Sequence, residues 1–415
     1  MSAMPSLSFT GLVIVMAVGF AAPLILGWFP NLRLPAVVLE ILLGIVIGPS
    51  ALNWVRVDPA IQVLSTVGLA FLLFMAGLEV ELDRLRGRLL RLPALGLGVS
   101  MVLAVATGFV LKATGQVRSP LLVAIILLAT SVGLVVPVLK DAGRATSDFG
   151  QLVIAGATVA DFAAVILLTL FFSGESSGIG AKLLLLSFFA VLLAVVGLSI
   201  AGVGRSMRLS DELVRLQDTT AQIRVRGAVL ILLAFVALAA RFGLETILGA
   251  FLAGVMLGAV DRDAMTHPHF RTKLEGISFG FLVPIFFVTS GLQFDVRALF
   301  KNASSILLMP IFLVALLLIR GVPALLYRRL LTERETSAAA LLQATSLPFI
   351  VVGAMLGRSL GLISAASSAA VIAAGLLSVL IFPLAALTVL RRGEGPPEPE
   401  AATKERMAAS SMEKM

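Results

Sequence analysis

The chain has 415 residues, of which 59% are hydrophobic and 13% charged, with a net charge of +8 and no cysteine. That composition excludes a water-soluble globule, whose surface would lack polar cover, and the missing cysteines exclude disulfides and thiolate-held metals. The two histidines, His267 and His269, share one polar loop, and two ligands without partners make a poor metal site.

Apolar runs of about 17 to 25 residues, each long enough to cross about 30 Å of hydrocarbon as a helix, recur from end to end. The short alternating segments of a transmembrane β-barrel do not occur. The expected fold class is therefore an all-α polytopic membrane protein of about thirteen transmembrane helices. These span 7–28, 33–49, 58–80, 91–111, 119–139, 150–172, 182–203, 226–241, 244–260, 275–293, 303–327, 336–357 and 363–390. The first lacks a basic leader and is too long for a typical signal core, so it reads as a retained span. Arg84, Arg86, Arg88 and Arg91 sit between spans 3 and 4, and Arg205, Arg208, Arg215, Arg224 and Arg226 between spans 7 and 8. By the positive-inside rule these odd-numbered loops are cytoplasmic, which puts the N-terminus outside and the C-terminus inside. The positive charge thus reports topology and implies no nucleic-acid partner. A short amphipathic surface helix is expected around 211–224. Residues 1–390 read as one transmembrane unit, and 391–415, rich in Glu, Pro, Ala, Ser and Lys, as a disordered cytoplasmic tail.

The sequence repeats itself. Phe74 to Leu85 reads FMAGLEVELDRL and Val288 to Leu299 reads VTSGLQFDVRAL, with their Gly-Leu pairs 214 residues apart. Ala129-Thr130-Ser131 of span 5 recurs as Ala344-Thr345-Ser346 of span 12, 215 residues on, and Gly44 and Gly48 of span 2 recur as Gly254 and Gly258 of span 9, 210 on. Each span pairs with the one seven later, and because seven is odd the partners cross in opposite directions. An inverted repeat of about five spans is the architecture of many secondary transporters, which alternate access about a midplane site.

The Ala-Thr-Ser runs lie near mid-membrane, followed by Gly133 in one span and Pro348 in the other. Gly weakens helical preference and Pro removes an amide donor, so both spans are candidates for local unwinding; ordinary kinks with Ser and Thr bonding back to carbonyls are the alternative. Unwound backbone at that depth must line an enclosed or watery cavity, where it offers carbonyls and half-helix dipoles to an ion. Thr130 and Ser131 are thereby candidate ion or proton ligands. Asp161 lies near the centre of span 6 with no neighbouring charge in sequence. An unpaired carboxylate there is costly and belongs in the bundle interior. Burial favours its neutral form and a bound cation its ionised form, so proton and metal cation compete for one group, and such competition is itself an exchange mechanism. A purely structural hydrogen-bonding Asp is the alternative. Arg320, deep in span 11, either pairs with Asp161 or counters the carbonyl ends of the broken helices. Glu40, Glu79, Arg241 and Glu245 lie nearer span ends, within reach of the interface.

Leu43-Gly-Ile-Val-Ile-Gly-Pro49, Phe74-Met-Ala-Gly-Leu-Glu79, Pro137-Val-Leu-Lys-Asp141, Pro284-Ile-Phe-Phe287 with Gly291-Leu292, and Leu377-Ser-Val-Leu-Ile-Phe-Pro383 together resemble the motifs, in order, of the cation:proton antiporter 2 family within the sodium/hydrogen exchanger superfamily. The resemblance covers nearly the whole membrane part. It implies a mobile core domain with two crossing broken helices (spans 5 and 12), a scaffold-like dimerisation domain interleaved with it in sequence, and an elevator-type motion in a homodimer. Asp161 matches that family's ion-binding aspartate, and Arg320 falls where relatives carry a basic residue. Ala160 departs from the family, many members of which carry Asp, Asn or Gln there. No nucleotide-binding domain follows the spans within these 415 residues, so nucleotide-domain gating is not expected.

The expected function is exchange of a monovalent cation, Na+ or K+, for H+ across the membrane, electroneutral because one carboxylate stands at the midplane. The only metal is the transported ion at Asp161, no cofactor is expected, and the surrounding partner is membrane lipid. A bacterial inner membrane suits the composition. A sodium-coupled symporter of organic anions would need a roomier, more polar crossing, and an uncoupled cation channel would show flux without protons. Nothing resembles an enzyme's nucleophile and base pair or a phosphate-cradling loop.

Overall fold

The computed structural model describes residues 9–29, 35–79, 88–115, 117–172, 222–242, 246–260, 268–300 and 303–391, with isolated positions 180, 187, 191 and 244. In chain order the helices are α1 (Phe9–Trp28), α2 (Ala36–Ile47), α3 (Pro59–Leu78), α4 (Arg88–Ala113), α5 (Pro120–Leu128), α6 (Val132–Asp141), α7 (Asp148–Phe172), α8 (Ile223–Arg241), α9 (Thr246–Val260), α10 (Pro268–Ile277), α11 (Val283–Leu292), α12 (Val296–Phe300), α13 (Ala303–Leu316), α14 (Glu333–Gln343), α15 (Pro348–Ser359) and α16 (Ala365–Arg391). A π-helical turn, Ser278–Leu282, joins α10 to α11, and a second, Leu317–Gly321, carries α13 into a 3-10 stretch, Val322–Arg329. No strand occurs among the described residues.

Nine of these helical stretches are long and apolar enough to cross a bilayer, and three shorter apolar ones, Ala36–Ile47, Pro120–Val136 and Thr246–Ala259, accompany them. They fall on twelve of the thirteen expected spans. Span 7 lies outside the described residues apart from isolated positions, as do Arg84, Arg86, Glu245, His267, the surface helix expected at 211–224 as far as residue 221, and the tail from 392. Helix starts follow local chemistry. Asp58 accepts the Ile61 amide at 2.8 Å ahead of Pro59, Ser119 accepts that of Leu122 ahead of Pro120, and Thr332 with Glu335 forms a capping box before α14. The outer face is apolar, with Phe9, Phe20 and Trp28 of α1, Val102 and Val110 of α4 and Leu230 of α8 all exposed. Only hydrocarbon solvates such a belt, so the chain is an integral membrane protein.

The helices pack as two groups. In one, α3 lies against α9 and α11, α2 against α1 and α11, and α8 against α9. In the other, α4 packs on α5 and α7, and α16 on α13, α14 and α15, with α6 on α7. The first group is drawn together at glycines of the sequence repeat. A Cβ on Gly44 would collide with the Val288 carbonyl and one on Gly291 with that of Ile41; a Cβ on Gly254 would collide with the Phe74 carbonyl and one on Gly77 with that of Phe251. Repeat-related glycines therefore make repeat-related contacts, α2 on α11 and α9 on α3.

Candidate functional site

Spans 5 and 12 are both broken. After α5 the chain runs extended at Ala129 (φ −67°, ψ 147°) and Ser131 (φ −107°, ψ 99°) before α6 begins. After α14, Ala344 keeps helical angles, and Leu347 (φ −143°, ψ −57°) leads into Pro348, the first residue of α15. Proline serves here as a helix start, because its missing amide would have been an orphan in any case. Gly133 and Pro348 thus lie just past the breaks, inside the second half-helices. The breaks touch: the Ser131 amide donates to the Thr345 carbonyl at 3.0 Å, and the Thr130 hydroxyl donates to the Gln343 carbonyl at 2.7 Å.

Asp161 sits on α7 against the first break. Its Oδ1 accepts the Thr130 amide at 2.9 Å and its Oδ2 the Val132 amide at 3.2 Å. Those amides are orphaned by the break, and a carboxylate at the start of α6 satisfies them and meets the positive end of the half-helix dipole. Asp161 is only partly buried. With Thr130, Ser131 and Gly133 it lines a cavity of about 130 Å³, room for a cation and several waters, whose other walls include Leu73, Glu79, Phe279, Phe287 and Pro348. A larger space of about 940 Å³, lined by Gln62, Gln293, Asp295 and Arg358 among others, lies toward the opposite end of α3 and does not include Asp161.

Arg320, 2% exposed and set in the π-helical turn after α13, donates from Nε to the Thr130 hydroxyl at 2.8 Å, from one terminal nitrogen to the Ser100 hydroxyl at 3.0 Å and from the other to the Gly156 carbonyl at 3.2 Å. Neither role left open for it is met directly. It forms no ion pair with Asp161 but reaches that residue through Thr130, and through the same hydroxyl it reaches the Gln343 carbonyl at the end of α14. The Gln343 side chain in turn donates to the Tyr327 hydroxyl at 3.0 Å. At the second break the Ser346 amide donates to Ser378 Oγ at 3.2 Å, and that hydroxyl lies within bonding distance of the Ser346 and Gly375 carbonyls.

The structure therefore brings together Thr130, Ser131, Gly133, Asp161, Arg320, Ala344, Thr345 and Pro348 at one crossing, with Ser346 held on its α16 side. It corrects one placement. Glu40, expected within reach of the interface, is 5% exposed, because α2 is short and lies between α1 and α11. Glu79, expected there too, does stand at the end of α3, 22% exposed beside Arg271, and it also lines the Asp161 cavity. Ser100, Gln343 and Ser378 carry no signal in the sequence, because neutral polar residues inside apolar runs bear no mark that separates a site from a helix packed by hydroxyls.

A bundle of apolar spans, two of them broken and crossing beside a membrane-embedded carboxylate, is the architecture of an ion-coupled membrane transporter. The chain belongs to the family described as sodium/hydrogen exchanger, transmembrane, whose profile matches residues 10–391. YjbQ of Bacillus subtilis, by name a candidate Na+/H+ antiporter, is 30% identical over 413 residues, 95% of this chain and 65% of YjbQ. GerN of Bacillus cereus, named an Na+/H+-K+ antiporter, is 29% identical over 262 residues, 62% of this chain and 65% of GerN. The chain thus spans about two thirds of the length of these two relatives. It covers 94% of a Methanocaldococcus jannaschii protein, by name a candidate Na+/H+ antiporter, at 26% identity over 384 residues, 89% of this chain. Among solved structures, the sodium proton antiporter MjNhaP1 of that organism shares the fold, with a TM-score of 0.67 over 92% of this chain and 98% of that one at 19% identity.

Proposed function

We propose that this chain exchanges a monovalent cation for H+, with Asp161 holding one or the other in turn. The observation that carries the reading is the state of that carboxylate: it is held by two backbone amides, free of any direct ion pair among the described residues, and open to a small cavity. Both its occupants are small, which a cavity of about 130 Å³ suits and an organic anion does not. The relatives' names divide between Na+ and Na+ with K+, so the cation is Na+ or K+. Thr130 and Ser131 complete the ion's surroundings, and Arg320 offsets the breaks' carbonyls through Thr130.

Alternating access follows from an elevator-type displacement of the group holding α4–α7 and α13–α16 against the group holding α1–α3 and α8–α11, the latter supporting a homodimer. The inverted repeat supplies two related arrangements of the halves, and the exchanged contacts of Gly44 with Gly291 and of Gly77 with Gly254 favour it. The Arg-rich loops make the end of α3 near Glu79 cytoplasmic, so this conformation faces inward in a bacterial plasma membrane, with the N-terminus outside and the C-terminus in the cytoplasm. With one carrier carboxylate, exchange is one for one and electroneutral.

Cation titrations in proteoliposomes at several pH values test the competition. Because protons and cations share one carboxylate, the cation concentration for half-maximal exchange should rise as pH falls, while the maximal rate at saturating cation holds. A pH-independent half-saturation argues for separate sites and against the reading. Electroneutrality fails if a voltage alone, with no ion gradient, drives exchange.

A further inference from the structure

The exchange reading uses one carboxylate of the cavity, yet Glu79 lines it as well. Glu79 caps the end of α3, in the group opposite the one that carries Asp161. Its Oε1 lies 3.8 Å from an Arg271 nitrogen of α10, a long contact to a side chain 54% exposed that also bonds Glu275 at 3.1 Å. Its Oε2 is buried without any hydrogen-bond partner. That oxygen would stand 3.8 Å from a Cβ built on Gly133. It therefore overlooks the first turn of α6, whose Val132 amide holds Asp161 Oδ2. Lys140, in the last turn of α6, adds its positive charge to that of Arg271. Buried acceptors are satisfied as a rule, and this one borders a cavity with room for water or a cation; of the two, only a cation gains from the carboxylate's charge. A cation between Oε2 and the cavity would satisfy it.

We propose that Glu79 is a second, stationary cation-binding carboxylate at the mouth of the Asp161 cavity, which hands the transported monovalent ion to Asp161 while Arg271 moderates its hold. The inference rests on the exchange reading and deepens it. Because Glu79 belongs to the group that does not carry Asp161, it stays behind when the loaded carrier moves. It raises the chance that the carrier is loaded without adding to the charge transported, so electroneutral exchange is unaffected. Arg271 keeps the station weak enough for release.

The test compares exchange of Na+ and of K+ in proteoliposomes for wild type, Glu79→Gln, Glu79→Asp and Arg271→Gln at fixed pH. Glu79→Gln removes one charge near the path without changing shape, and the half-saturating cation concentration should rise about tenfold, with the maximal rate held within about twofold. Glu79→Asp should fall between. Arg271→Gln, at an exposed position, should shift half-saturation the other way. Unchanged half-saturation in Glu79→Gln overturns the proposal, as does a fall in maximal rate alone, the mark of a structural role. Should Glu79→Gln not fold, Glu79→Asp and Arg271→Gln decide it by the same signs. If wild type itself exchanges nothing, the exchange reading fails and takes the station with it; if wild type exchanges and the variants match it, only the station fails.

Discussion

Thr130 shows how much of the site rests on single atoms. Its amide donates to Asp161, and its hydroxyl accepts from Arg320 while donating to the Gln343 carbonyl. Thr130→Val keeps the shape and the amide but leaves a buried guanidinium nitrogen and a carbonyl without partners. Each such loss costs about 1–3 kcal/mol, so unfolding in detergent should come several degrees lower and Thr130→Ser should restore it. A Val variant as stable as wild type would show that the hydroxyl bridges nothing that matters. Asp161 was legible in the sequence because a carboxylate at mid-span has no cheap explanation. The cavity-facing side of Glu79 was not legible for the converse reason: near a span end, a long side chain has the interface as an easy refuge, and only packing shows what else it faces.

Helix breaks and helix contacts belong to the next scale. The two Ala-Thr-Ser runs pointed to the breaks, and the structure moves each unwound stretch a residue or two ahead of Gly133 and Pro348, since proline starts a half-helix more readily than it ends one. The π-helical turn that holds Arg320 left no comparable trace. It adds one residue to a turn, which an apolar run of this length absorbs without any change in hydropathy; Pro323, just beyond it, is the one local hint. Glycine contacts, by contrast, were visible as repeats. Gly254→Val should disrupt the approach of α9 to α3 and cost about 1–3 kcal/mol of overpacking, read as lower detergent-resistant yield and unfolding temperature. Gly98→Ala, with open space around it, is the control and should be neutral.

For the molecule as a whole, the division into two helix groups carries the largest claim, because the proposed displacement requires one to slide along the other. The sequence indicated the spans, and only packing could sort them into groups, since members of each are interleaved along the chain. Ser290 of α11 and Met355 of α15 meet across the boundary, with Oγ 3.9 Å from Sδ. The chain has no cysteine, so Ser290→Cys with Met355→Cys gives a single reactive pair. Crosslinking it should stop exchange and reduction should return it; full activity in the crosslinked protein would mean that the groups need not slide at this contact.

The most direct measurement is cation-driven proton movement in proteoliposomes carrying a preset pH gradient, with Na+, K+ and Li+ offered in turn to wild type and to Asp161→Asn. Wild type should dissipate the gradient on addition of Na+ or K+, and Asp161→Asn, folded and inserted equally well, should not. A wild-type protein that is folded and present but moves no protons with any of these cations, or an Asp161→Asn variant that moves them as well as wild type, would contradict the account.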